Sequence, residues 1–195
     1  MICFEIVING VFLCRAGIEN ATVISPCLSM FFNSEKPAYL RLSAISEHPD
    51  GSRIHVYWFE EVELSPGDEV SFTMLESSVP TKPSRITLLA AIDYQDGMGL
   101  LKELEKAQLP QFFWTKEMWS ATALQCNVNG EQKFVIGAMA GDEYISCSLI
   151  WSDKNPDCYR IFTRSFCSKS DCTHDRKWLR SELSINDTLS LRIIA

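Results

Sequence analysis

The sequence predicts an α+β, β-rich protein: two tandem diverged copies of a mostly antiparallel five-stranded unit, with one short helix each, joined by a helical linker. Three observations predict it. Asn-Gly stands twice between alternating apolar runs, at Asn9-Gly10 and Asn129-Gly130; this dipeptide is the strongest short hairpin signal, because both central positions of a type I′ turn need positive φ. The same landmarks then recur in the same order about 120 residues apart, and a period of that kind governs every later fold argument. Gly17 falls on Gly137, Ile24-Ser25 and Leu28 on Ile145-Ser146 and Leu149, and Trp58 on Trp178. Leu64-Ser-Pro-Gly-Asp-Glu-Val70 likewise falls on Leu183-Ser-Ile-Asn-Asp-Thr-Leu189. Finally, period-2 alternation dominates both copies, as in half-buried strands.

The copies are expected over residues 1–75 and 119–195, with a linker at 76–118. Phe4, Ile6 and Ile8 lead into the first turn, and Phe12 and Cys14 lead out; Leu124, Cys126 and Val128, then Phe134 and Ile136, do the same in the second copy. A third strand is expected at 22–32 and 143–151, and a fourth at 38–46 and 158–166, where the stretches from Tyr39 and from Tyr159 carry the period-2 pattern. Trp178, Leu179 and Leu183 sit at helical spacing and predict the short helix, although Ile54-His-Val-Tyr-Trp-Phe59 in the first copy also suits a strand. Pro66-Gly67 and Asn186-Asp187 turn into the closing strands at 71–75 and 190–194. Within the linker, residues 99–109 place Leu100, Leu101 and Leu104 on one side and stop at Pro110, the pattern of an amphipathic helix. Phe112, Phe113, Trp114 and Trp119 would glue the copies into a two-lobed body.

These landmarks resemble a group of small uncharacterised bacterial proteins whose pattern runs Asn-Gly hairpin, Ala-Gly-Ile, Trp, then Leu-x-x-Gly-Asp-Glu-Val. Asn9-Gly10, Ala16-Gly17-Ile18, Trp58 and Leu64 to Val70 match it across the first copy, while Asn186-Asp187-Thr188 replaces Gly-Asp-Glu in the second. The resemblance implies no catalytic residues.

The chain has 195 residues, 46% apolar and 22% charged, which excludes a disordered or collagen-like class. A net charge of −7 disfavours nucleic acid as a partner, since phosphates need clustered Lys and Arg. The opening residues meet Glu5 at once and carry no basic leader, and no apolar run approaches bilayer length, so a cytoplasmic protein that meets no membrane is expected. Its eight cysteines are then free thiols, most of them core residues.

No nucleophile elbow, zinc-protease helix, phosphate loop or dinucleotide fingerprint occurs in the sequence. Cys158, Cys167, Cys172 and His174 form a candidate zinc set of three sulfurs and one imidazole, but their spacings lack the tight knuckles of structural zinc sites. A cofactor is not otherwise expected. The acids are concentrated: residues 1–75 hold ten acids and four bases, whereas residues 119–195 hold nine of each. Glu60, Glu61, Glu63, Asp68 and Glu69 crowd beside Tyr57 and Trp58, so an acidic ridge with aromatic anchors could steer a basic protein partner. The function expected is therefore non-enzymatic partner binding, as by an immunity protein or inhibitor. The alternatives are a small-molecule-binding protein or enzyme with its pocket between the copies, and a subunit of a larger assembly.

Overall fold

Thirteen strands occur among the described residues, and strands such as β3, β4, β6 and β10 alternate buried side chains with more exposed ones. The computed structural model describes residues 1–31, 38–48, 50–89, 123–137, 144–167 and 174–194, with backbone alone at 89, 166, 167 and 174–180. In chain order the strands are β1 (Ile2–Ile8), β2 (Val11–Ala16), β3 (Val23–Phe31), β4 (Ala38–Glu47), β5 (Arg53–Leu64), β6 (Glu69–Glu76) and β7 (Arg85–Leu89). They continue as β8 (Ala123–Val128), β9 (Glu131–Gly137), β10 (Tyr144–Ser152), β11 (Asn155–Cys167), β12 (His174–Ser184) and β13 (Thr188–Ile194).

Two antiparallel sheets result, one of order β2-β1-β6-β13-β8-β9 and one of order β12-β11-β10-β3-β4-β5-β7. Both orders have a two-fold correspondence. In the first sheet β1, β2 and β6 mirror β8, β9 and β13; in the second, β3, β4 and β5 mirror β10, β11 and β12. Only β7 has no counterpart among the described strands. The halves meet where β6 pairs with β13 and β3 with β10, so they are not separate lobes: both sheets run through both halves. One apolar core joins the sheets, from Phe4 and Phe72 on one to Leu28, Leu40 and Tyr159 on the other.

The fold is all-β, and this corrects the α+β expectation, because no helix occurs among the described residues. The Trp58 and Trp178 segments are strands β5 and β12, which makes six strands per half instead of five. The helical reading of the second segment failed for a physical reason. A spacing of four, as between Leu179 and Leu183, keeps two residues on one face of a strand as well as of a helix. A β-bulge also explains the adjacent Trp178 and Leu179: Thr163 pairs with Leu179 and Arg164 with Lys177, which leaves Trp178 as the extra residue. In the first half Leu42 pairs with Phe59 and Ser43 with Tyr57, so Trp58 is the extra residue of the corresponding bulge. The helix expected at 99–109, and the aromatic glue at Phe112 to Trp119, lie outside the described residues.

The two hairpin ends are built alike, atom for atom. Asn9 and Gly10 take φ of 52° and 77°, and Asn129 and Gly130 take 52° and 81°, the type I′ geometry. Asn9 Nδ2 donates to Asp68 Oδ1 at 2.7 Å while its Oδ1 accepts from Glu69 N at 2.9 Å. Asn129 does the same with Asp187 and Thr188, both at 2.8 Å. The second Asp oxygen accepts from Ser65 N at 2.7 Å or Ser184 N at 2.8 Å, closing each turn. Between those partners, Gly67 (φ 95°) is matched by Asn186 (φ 70°), because Asn is among the few residues that tolerate the left-handed region. The replacement of Gly-Asp-Glu by Asn-Asp-Thr therefore preserves the turn.

Candidate partner-binding surface

The segment that sequence patterning singled out divides between the two sheets. Tyr57, Trp58, Glu60, Glu61 and Glu63 lie on β5, between β4 and β7 of the larger sheet. Asp68 ends the turn before β6 and Glu69 opens that strand in the other sheet, where the first hairpin clasp engages the Asp68 carboxylate and the Glu69 amide. Trp58 is 6% exposed, and its Nε1–H donates to Thr81 O at 2.8 Å; it is a core residue and has no face to offer a partner. Tyr57 is half-buried under two guanidinium groups, Arg85 at 4.3 Å and Arg41 at 5.5 Å from the ring centroid. Arg85 also pairs with Glu60 at 2.8 Å. Glu60, Glu61 and Glu63 are all exposed. The ridge is thus acidic but partly neutralised, and its aromatic anchors are committed within the fold.

His55 sits beside Tyr57, and burial, followed by the positive charges of Arg53 and Arg41, lowers its pKa. The thiols divide by depth. Burial pushes Cys14 and Cys126 up to about 12 and raises Cys3 and Cys147 as well, so these side chains are inert thiols. Cys27 is half-buried on the outer face of β3, where it accepts from Ser148 Oγ at 3.3 Å. In the folded protein at pH 8, iodoacetamide will alkylate Cys27 while Cys3, Cys14, Cys126 and Cys147 stay unmodified until denaturant is added. Peptide mass spectrometry reads this directly, and native labelling of Cys147 would contradict the burial.

The zinc set does not close on one ion. Cys167 pairs with His174, but Cys158 pairs with Ser184 at the opposite end of the same ladder. Eight residues of extended strand lie between the two cysteines, a separation of about 30 Å, against Zn–S bonds of about 2.3 Å. The Cys158 thiol instead accepts from Asn155 Nδ2 at 2.8 Å. Cys172 lies outside the described residues, and among those described no group of His, Cys, Asp and Glu could hold a metal.

The expected location of a pocket is the seam between the halves, where β6 meets β13 and β3 meets β10. Phe72 faces Leu189 and Leu28 faces Cys147 across it, all fully buried. On the outer side of the smaller sheet, Ser71 and Ser190 hydroxyls meet at 2.8 Å, as do those of Thr73 and Thr188.

Patterning within one copy missed the two ends of the smaller sheet. On edge strand β2, Val11, Phe12 and Leu13 are 70%, 54% and 38% exposed. At the corresponding places on edge strand β9 stand Glu131, Gln132 and Lys133, with Glu131 and Lys133 paired at 2.7 Å. Setting one copy above the other reveals this difference at once, as three consecutive apolar residues against three polar ones.

No helix among the described residues is long and apolar enough to cross a membrane. The chain matches no family model, no curated protein and no solved structure.

Proposed function

We propose that the protein is a non-enzymatic binding protein whose partner is a basic protein, in the manner of an immunity protein or inhibitor. One observation carries this reading. The acid surplus is concentrated in one half of a two-fold body, with ten acids against four bases in residues 1–75 and balanced charge in 119–195. Six of those ten acids, Glu19, Glu47, Asp50, Glu60, Glu61 and Glu63, are exposed. Solubility alone would be served by charge spread over both halves, whereas a one-sided field orients an oppositely charged partner and raises its association rate. The immunity or inhibitor role is an analogy drawn from small acidic proteins of this kind.

The tagged protein, expressed in its own cells and recovered at low salt, should retain a basic protein. Reversing Glu60, Glu61 and Glu63 to Lys should then slow association with the recovered partner by about tenfold or more at low ionic strength. The deficit should shrink as salt rises toward about 0.5 M, where the Debye length falls below about 5 Å. An unchanged association rate by surface plasmon resonance, or a recovered partner that is not basic, would defeat the reading.

A further inference from the structure

We infer that the partner docks on the exposed edge of β2, at Val11, Phe12 and Leu13, through an extended segment that presents apolar side chains flanked by Lys or Arg. The inference rests on the basic-partner reading and adds where and how the partner is held. It begins from an internal control. Strands β2 and β9 occupy corresponding edges of the same sheet, each following an Asn-Gly turn. Each carries a bulge at the same place: Leu13 is the extra residue between Phe12 and Cys14 opposite Val7 and Ile6, and Lys133 is the extra residue between Gln132 and Phe134 opposite Asn127 and Cys126. Backbone turn and bulge are shared, so at these three positions the two edges differ in side-chain chemistry.

Charged residues on an edge strand are a usual protection against unwanted pairing. On β9 the ion pair of Glu131 with Lys133 supplies it. On β2 the same positions expose three apolar side chains in a row, and contiguous exposed apolar surface marks an interaction site. The chain itself already bonds one end of this edge through the turn that follows β6. At its far end Arg15 O accepts from Thr81 N at 2.7 Å, and Arg15 N donates to Thr81 Oγ1 at 2.9 Å. That turn also carries Val79, 71% exposed, two residues before Thr81.

Charge decides the occupant. A second copy docking edge to edge would bring two halves of charge −6 together, and like charges juxtaposed at an interface disfavour it. Near the strip, Arg15 is already ion-paired with Glu5, and Asp68 and Glu69 stand at the hairpin tip beside Asn9. A segment carrying Lys or Arg beside its apolar residues satisfies both features.

The test pans a displayed library of random twelve-residue peptides against the full-length protein and measures the enriched peptides on an edge-swap variant, Val11→Glu, Phe12→Gln and Leu13→Lys. The swap leaves net charge unchanged and uses residues that the corresponding edge already carries. Enriched peptides should combine apolar residues with Lys or Arg, bind the wild type, and bind the variant about tenfold more weakly or worse, the loss typical of removing central anchors. Hydrogen exchange on the wild type, which needs no variant to fold, should show the amides of residues 11–13 protected by bound peptide. Equal binding to wild type and a folded variant, protection elsewhere, no enrichment, or a wild-type dimer abolished by the swap would each overturn the docking site. If the swap is silent while reversal of Glu60, Glu61 and Glu63 still slows the natural partner, the edge is refuted and the basic-partner reading survives. Edge-bound peptides without basic residues would overturn both.

Discussion

Phe4→Ala will lower the unfolding free energy by about 3–5 kcal/mol, the cost of deleting a fully buried aromatic ring. Phe4 stands on β1 in the smaller sheet and meets the ring of Tyr159, on β11 of the larger sheet, edge-on at 5.3 Å and 83°. Both side chains are 0% exposed. Tyr159 also donates through its hydroxyl to Asp187 O at 3.2 Å, in the turn that precedes β13. The pair therefore fastens one sheet to the other at a point where the first half touches the second. Removing Phe4 opens a void beside a large ring whose hydroxyl is fixed, so the surroundings cannot collapse freely into the space. Urea unfolding should show the midpoint falling with the slope unchanged. A loss below about 1 kcal/mol would mean that the two sheets do not share this core, since shallow sites alone tolerate such truncation. In a double-mutant cycle with Tyr159→Leu, which removes the ring that Phe4 meets, the two losses should not add, because the rings are in contact.

How much of this was legible in the sequence depends on whether a signal was local. The hairpins were, because Asn-Gly encodes positive φ at two successive residues, and both pairs adopt it. The pairing of β6 with β13 and of β3 with β10 was not, since nothing in an alternating strand says which neighbour it will find. Tyr39 and Tyr159 show how fine the margin is. Each falls at the same place of the fourth strand expected in its copy, but Met30 pairs with Ala38 and Trp151 with Tyr159, so Tyr159 corresponds to Ala38. One residue of register turns Tyr159 into the core and Tyr39 outward, where it stacks on Phe31 at 5.5 Å. The bulges at Trp58 and Trp178 defeated periodicity for the same reason, as each adds a residue that no period-2 template contains. Of the candidate surface, composition exposed the charge imbalance but not its geometry. It could not show that the most conspicuous aromatic on the acidic segment points inward, nor that Val11, Phe12 and Leu13 are left exposed on the sheet edge two strands away from the seam.

Trp58→Ala will likewise destabilise the protein by about 3–5 kcal/mol, and the reason separates a structural role from a binding one. The indole of β5 is buried, and its N–H donates to Thr81 O. Thr81 in turn bonds Arg15 of β2 through backbone and hydroxyl. Trp58 thus reaches from the larger sheet, through the turn that leaves β6, to the edge of the smaller one. Truncation removes the ring from the core and leaves a carbonyl without its donor, which alone costs about 1–3 kcal/mol. Trp58→Phe isolates that second part: most of the apolar volume stays and the hydrogen bond goes, so a loss of about 1–2 kcal/mol is expected. Hydrogen exchange at residues 77–81 should accelerate in both variants, because the turn loses its hold on β5 while β5 keeps its ladders to β4 and β7. For the same reason partner association, measured on folded Trp58→Phe, should keep the wild-type rate. A Trp58→Phe protein that melts as the wild type but binds its partner tenfold more slowly would make Trp58 an anchor after all, and would mean that β5 turns its bulged residue outward to meet the partner.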